Sequence, residues 1–199
     1  SLVIEPQQDC IHEYPYPGLQ EKLQGVRAGE LVTITSGTGQ GKSSLCRELA
    51  AHFLSKGERV GYVALEESNR RTALGLMSAA CGKQFHIGTH ERSDLTEAYQ
   101  RTLAEWNLFL FDGFGSFDPD NIISRIRYLA AGLDCRIVFL DHLSILLSGL
   151  DGDERKMIDT TMTKLRSLCE ETGISMFLVS HLRRAQGDKG HEDGAKVSL

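Results

Sequence analysis

The sequence predicts an α/β fold, a mostly parallel sheet with helices on both faces. Three observations carry that expectation. Five short apolar runs recur along the chain, segments with helix-spaced apolar residues separate them, and a glycine-rich loop joins the first run to the first such segment. Runs that are apolar throughout, rather than alternating, suit strands covered on both faces. Strands alternating with helices imply parallel pairing.

Taken in order, residues 1–27, with Pro15 and Pro17, read as a lead-in or linker segment, and the domain is placed at 28–199. Leu31-Val32-Thr33-Ile34-Thr35 is the first strand, bounded by Gly29 and by the glycines that begin at Gly37. Leu45, Leu49 and Phe53 then recur every four residues, as on one helix face. Val60–Leu65 is the second strand and Leu108–Phe111 the third. Ile122, Ile126, Leu129 and Leu133 mark a further helix, ahead of a fourth strand at Ile137–Leu140. Ile158, Met162, Leu165 and Leu168 mark another, stopped by Gly173, and Ile174–Val179 is the fifth strand. Residues 183–196 read as a polar, glycine-containing loop. There is no internal repeat and no low-complexity tract.

Composition bounds the function. With 199 residues, 41% hydrophobic and 25% charged, the chain suits one globular domain that needs neither disulfides nor a structural metal to fold. No apolar run reaches the roughly 18 residues of a membrane span. A net charge of -5 argues against indiscriminate coating of nucleic acid but leaves room for a local basic loop. The five cysteines are odd in number and form no Cys-x-x-Cys pair, which suits reduced thiols in a cytosol-like compartment. A cytoplasmic location is therefore expected. The first residue is not methionine, and Val197-Ser198-Leu199 has no tail character, so a piece of a longer polypeptide is expected.

Ser36-Gly37-Thr38-Gly39-Gln40-Gly41-Lys42-Ser43 lies between the first strand and the first helix. Glycines let the backbone turn so that successive N–H groups face phosphate oxygens, and the helix N-terminus adds the positive end of its dipole. Lys42 would reach the β- and γ-phosphates and the Ser43 hydroxyl would ligate Mg²⁺. Ser44 is counted with them as a nucleotide-binding residue. The usual pattern opens with glycine where Ser36 stands, yet Gly37, Gly39 and Gly41 still supply the turn.

Hydrolysis also needs a metal-holding carboxylate and a base for water. Asp141 closes Ile137–Leu140 at the carboxyl edge of a buried strand, where ligands bind in open α/β sheets. Asp112, after Leu108–Phe111, competes for the metal role, and either could instead cap a helix. Glu66 is the candidate base, with Glu67 beside it. Neighbours at a strand end point in opposite directions, so only one should face the phosphate. His181, in Val179-Ser180-His181, could hydrogen-bond the γ-phosphate or be a structural histidine. Arg183, Arg184 and Lys189 follow, with acids among them and no aromatic residue, so they could touch the phosphates of a single strand without reading bases.

These segments together carry a resemblance. Gly-Glu-Leu-Val-Thr-Ile, the phosphate loop, Val-Gly-Tyr-Val-Ala-Leu-Glu-Glu-Ser, Leu-Asp-His and Ser-His-Leu, in that order, resemble a RecA-like P-loop NTPase core, the helicase domain of the DnaB superfamily. Asp153-Glu154-Arg155-Lys156-Met157-Ile158-Asp159 with Met162-Thr163-Lys164-Leu165 is similar to the helicase half of T-seven-type phage primase-helicases, a group related to Twinkle. The resemblance covers residues 18–199. It implies that Lys42 and Ser43 bind nucleotide and Mg²⁺, that Glu66 activates water, and that Asp141 holds the metal. It makes His181 a γ-phosphate sensor and places Arg183 to Lys189 in the DNA channel of a homo-hexameric ring. It further implies ATP or dTTP as substrate, 5′-to-3′ movement on single-stranded DNA, primase and replisome partners and, if a phage encodes the chain, the cytoplasm of a bacterial host. With no apolar run long enough to span one, no membrane is expected as a partner. Family members continue past the equivalent of Leu199 into strands carrying an arginine finger, so this core is expected to be incomplete at its C-terminal end and weakly active alone.

The expected function is thus the motor of a replicative DNA helicase. A RecA-like recombinase or a DNA-stimulated ATPase without unwinding is the enzyme alternative. A nucleotide-dependent switch is another, against which Glu66 and Asp141 argue, because a switch needs no efficient base.

Overall fold

The computed structural model describes residues 10–36, 41–111, 119–141 and 154–181. Their elements run β1 (Cys10–His12), α1 (Pro17–Leu23), β2 (Val26–Arg27), β3 (Leu31–Ser36), α2 (Lys42–Ser55), β4 (Val60–Ala64), α3 (Asn69–Cys81), α4 (Arg92–Arg101), β5 (Leu108–Leu110), α5 (Pro119–Ala131), β6 (Ile137–Asp141), α6 (Glu154–Thr172) and β7 (Ser175–His181). β3, β7, β6, β4 and β5 lie side by side in that order, and every pairing among them is parallel. The five expected strands are these five, with ends moved by one or two residues. β1 and β2 form a separate antiparallel pair.

Successive residues of a strand face opposite sides, and β6 shows why its run had to be apolar throughout. Val138 and Leu140 join Ile122 and Ile126 of α5 and Leu165 and Leu168 of α6. Ile137 and Phe139 join Cys46, Leu49 and Phe53 of α2 on the other side. The sheet is thus covered on both faces, as expected. Across the α2 side the rings of Tyr62, Phe139 and Phe177 stack, with centroids 5.4 and 4.8 Å apart. Residues 10–27 contribute to this layer as well, through Tyr14 and Val26.

α3 and α4 are additions to what the sequence predicts, as are β1, α1 and β2 in the segment read as a lead-in. Ser68 starts α3, its hydroxyl accepting from the Arg71 amide at 3.3 Å, and Gly82 ends it in the left-handed region at φ 65°. Gly41 also needs that region, at φ 79°, immediately before α2.

Ile126 is fully buried between α5 and the sheet. Ile126→Val should cost about 1 kcal/mol and lower the melting temperature by about 2–4 °C, measurable by calorimetry. An unchanged melting temperature would mean that this face is not close-packed.

Candidate nucleotide site

The end of β3, the start of α2 and the ends of β4, β6 and β7 lie at one edge of the sheet. β3 ends at Ser36, and α2 begins at Lys42 directly after Gly41. Gly37, Thr38, Gly39 and Gln40 lie outside the described residues, so the body of the phosphate loop stays an expectation. No side chain caps α2, and a helix start of this kind offers its first amides to an anion. Lys42 is buried at 6% exposure, and its ammonium donates to the Ser36 carbonyl at 2.9 Å and to Ser36 Oγ at 3.2 Å. Burial pulls the Lys42 pKa down, and the nearby Asp141 charge opposes that shift. An added anion would favour the charged ammonium further.

A cavity of about 420 Å³ opens beside this helix start. Ser43 lines it from α2, Asp141 from the end of β6, and Glu66, Glu67 and Ser68 from the turn that follows β4. Asp141 is only 8% exposed. Its register partner is Ala64, and its carbonyl accepts from the Leu65 amide at 2.8 Å, which ties the two strand ends together. Ser43, Glu66 and Asp141, which the sequence nominated separately, therefore border one space.

The two adjacent glutamates part company here. Glu67 takes Arg47 Nη2 at 2.6 and 2.7 Å on its two oxygens, and Oε1 also accepts from Thr72 Oγ1 at 3.0 Å. Glu66 is the more exposed of the pair. Both border the cavity, and Glu67 is also within 3.5 Å of Arg71 Nε.

Ser44 does not reach this cavity. Its side chain is exposed and lines a different recess of about 150 Å³, with Ser78 and His86. What it can offer a phosphate is its first-turn amide. His181 ends β7 opposite Ser36 in register, at the same edge of the sheet. Arg183, Arg184, Lys189 and the competing Asp112 lie outside the described residues. Sequence reasoning missed Arg47 and Arg71, which also line the cavity. A signal for Arg47 was present: it stands four residues after Ser43 in α2, on the same helix face.

The donor set suits Mg²⁺. Ser43 and Asp141 offer hard oxygen ligands, and Mg²⁺ is commonly held by one or two carboxylates together with substrate phosphates rather than by an all-protein cage. Among the described residues no cluster of three or more His, Cys, Asp or Glu side chains could hold a metal alone.

Comparison with known proteins places this arrangement. Residues 14–194 match the family described as DnaB-like helicase C terminal domain. The chain belongs to that family. The DnaB-like domain is 33% identical over 190 residues to a DNA helicase/primase of Enterobacteria phage T3, covering 92% of this chain and 34% of that protein. It is 21% identical over 183 residues to a probable plasmid replicative DNA helicase of Chlamydia trachomatis, covering 89% and 40%. The chain thus spans well under half the length of either relative. Among solved structures, a DnaB-like replicative helicase studied with primase superposes at a TM-score of 0.73 and 18% identity, over 88% of this chain and 45% of that one. A KaiC-like protein from Pyrococcus horikoshii superposes at 0.62 and 24%, over 85% and 70%. These likenesses establish the RecA-like fold of the DnaB-like domain.

Proposed function

We propose that this DnaB-like domain is the nucleoside-triphosphate-driven motor of a replicative DNA helicase. The observation that carries the reading is the cavity bordered by Ser43, Glu66 and Asp141, beside the buried Lys42 at the start of α2. The substrate is ATP or dTTP. Ser43 Oγ and the Asp141 carboxylate would hold Mg²⁺, which would supply charge neutralisation on the phosphates. Lys42 binds the β- and γ-phosphates. Glu66 takes a proton from water as the water oxygen bonds to the γ-phosphorus. The bond to the bridging oxygen breaks, leaving the diphosphate and inorganic phosphate. His181, in register with Ser36, is suited to sense the γ-phosphate. Resemblance to the family supports a hexameric ring, 5′-to-3′ movement and a primase partner in the intact protein.

Single-stranded DNA is the proposed track, contacted through Arg183, Arg184 and Lys189. In the intact protein, single-stranded DNA should stimulate hydrolysis, and a forked duplex should be separated while nucleotide is consumed. Stimulation without strand separation would leave a DNA-dependent ATPase, and no stimulation would leave a switch. Replacing the three basic residues together with alanine should weaken single-strand binding with little sequence dependence. It should also flatten the log K against log[salt] slope by about two, at roughly 0.7 for each phosphate that is no longer neutralised. An unchanged slope would remove these residues from the track.

A further inference from the structure

The structure assigns Arg47 and Glu67 a positioning role: they form a clamp that holds the turn after β4 so that Glu66, and not its neighbour, serves the attacking water. This rests on the reading of Glu66 as the base. The Arg47 and Glu67 side chains are only 13% and 17% exposed, and the guanidinium engages both carboxylate oxygens. Thr72, fully buried in the first turn of α3, donates to the same carboxylate. The clamp therefore joins α2, which carries Ser43, to the turn that carries Glu66.

Two features argue that this ion pair is kept for more than stability. Arg47 Nε is buried without a hydrogen-bond partner among the described residues, an arrangement that costs free energy and that an apolar side chain would avoid. Gly75 stands mid-helix in α3, where glycine is unfavourable. A Cβ there would meet Arg47 Nε at 2.6 Å and Cζ at 2.8 Å. The helix thus gives up a side chain where the guanidinium passes. A carboxylate held in this way has both oxygens engaged by donors, which suits Glu67 to tying the turn in place rather than to taking a proton from water.

The test is a set of variants on the intact protein: Arg47→Met, Glu67→Gln, the two combined, Gly75→Ala and Glu66→Gln. Circular dichroism checks folding, a fluorescent ATP analogue measures affinity, and phosphate release gives kcat and KM. Arg47→Met and Glu67→Gln should each lower kcat by about tenfold, with KM and analogue affinity within about twofold. The double variant should lose no more than either single one, since each breaks the same clamp. Gly75→Ala should follow Arg47→Met, because it displaces the guanidinium without deleting a charge. Glu67→Gln is nearly isosteric, so it carries the test should Arg47→Met not fold. Multiplying losses in the double variant, or a raised KM at constant kcat, would overturn the clamp. Wild-type kcat in both single variants beside an impaired Glu66→Gln would overturn the clamp alone. A normal rate in Glu66→Gln would instead overturn the base on which it rests.

Discussion

Glu66→Gln is expected to keep nucleotide affinity within about twofold and to lower turnover by about 10²-fold or more. The amide is the same size and can still lie against the cavity that Glu66 shares with Ser43 and Asp141, but it cannot take a proton from water. A positioned general base contributes about 10²–10⁴-fold, and that contribution is what the substitution removes. Binding of a fluorescent nucleotide, together with phosphate release at saturating Mg²⁺-nucleotide, separates the two effects. A loss of affinity with normal turnover would make Glu66 a binding group. A full-size loss in Glu67→Gln, with Glu66→Gln at the wild-type rate, would move the base by one residue.

Lys42→Ala is expected to weaken nucleotide binding by about 10²-fold and to take turnover below detection. Hydrogen bonds to charged groups contribute about 1.5–3 kcal/mol each, and the ammonium is proposed to meet two phosphates. Folding should survive, because burial disfavours the ammonium in the folded chain. The sign follows from the lowered pKa: the penalty is fully present below the folded-state pKa and fades as pH rises to the unfolded value. Any stability that the substitution gains should therefore shrink at strongly alkaline pH. Thermal unfolding across pH checks the folding half, and titration with nucleotide checks the other. Unchanged affinity in a folded variant would remove the phosphate-loop assignment.

The five strands of the parallel sheet and three of the helices were legible because their apolar residues come in short runs or at helix spacing. β6 is the clearest case, with all five positions buried. α3 escaped the same reading because its packed face is made of Thr72, Gly75 and Ser78 as well as Leu76 and Met77. Small and polar residues there admit Arg47 and leave little hydrophobic period. α4 is polar along most of its length and buries only Ala98. Site residues adjacent in sequence to a strand end, such as Asp141 and Glu66, could be nominated from pattern alone. Between Glu66 and Glu67 the sequence offers only strand-end geometry, because the Arg47 that Glu67 engages lies twenty residues away in sequence and meets it only in space. The strand order was equally out of reach, since periodicity carries no record of which strands become neighbours.

That order also governs when the site can come into being during synthesis. β3 leaves the ribosome first among the five strands, yet its neighbour in the sheet is β7, the last of them. Nearly all the described chain must emerge before Leu31–Ser36 finds Ser175–His181. Until then β3 has no neighbour among the described strands of the sheet and β6 has one edge open, backbone prone to pairing with the wrong partner. Pairing so distant in sequence is also slow to form. A chain halted before Ser175 would contain Lys42, Ser43, Glu66 and Asp141, yet β3, which leads into the phosphate loop, would lack the strand that ties it to β6.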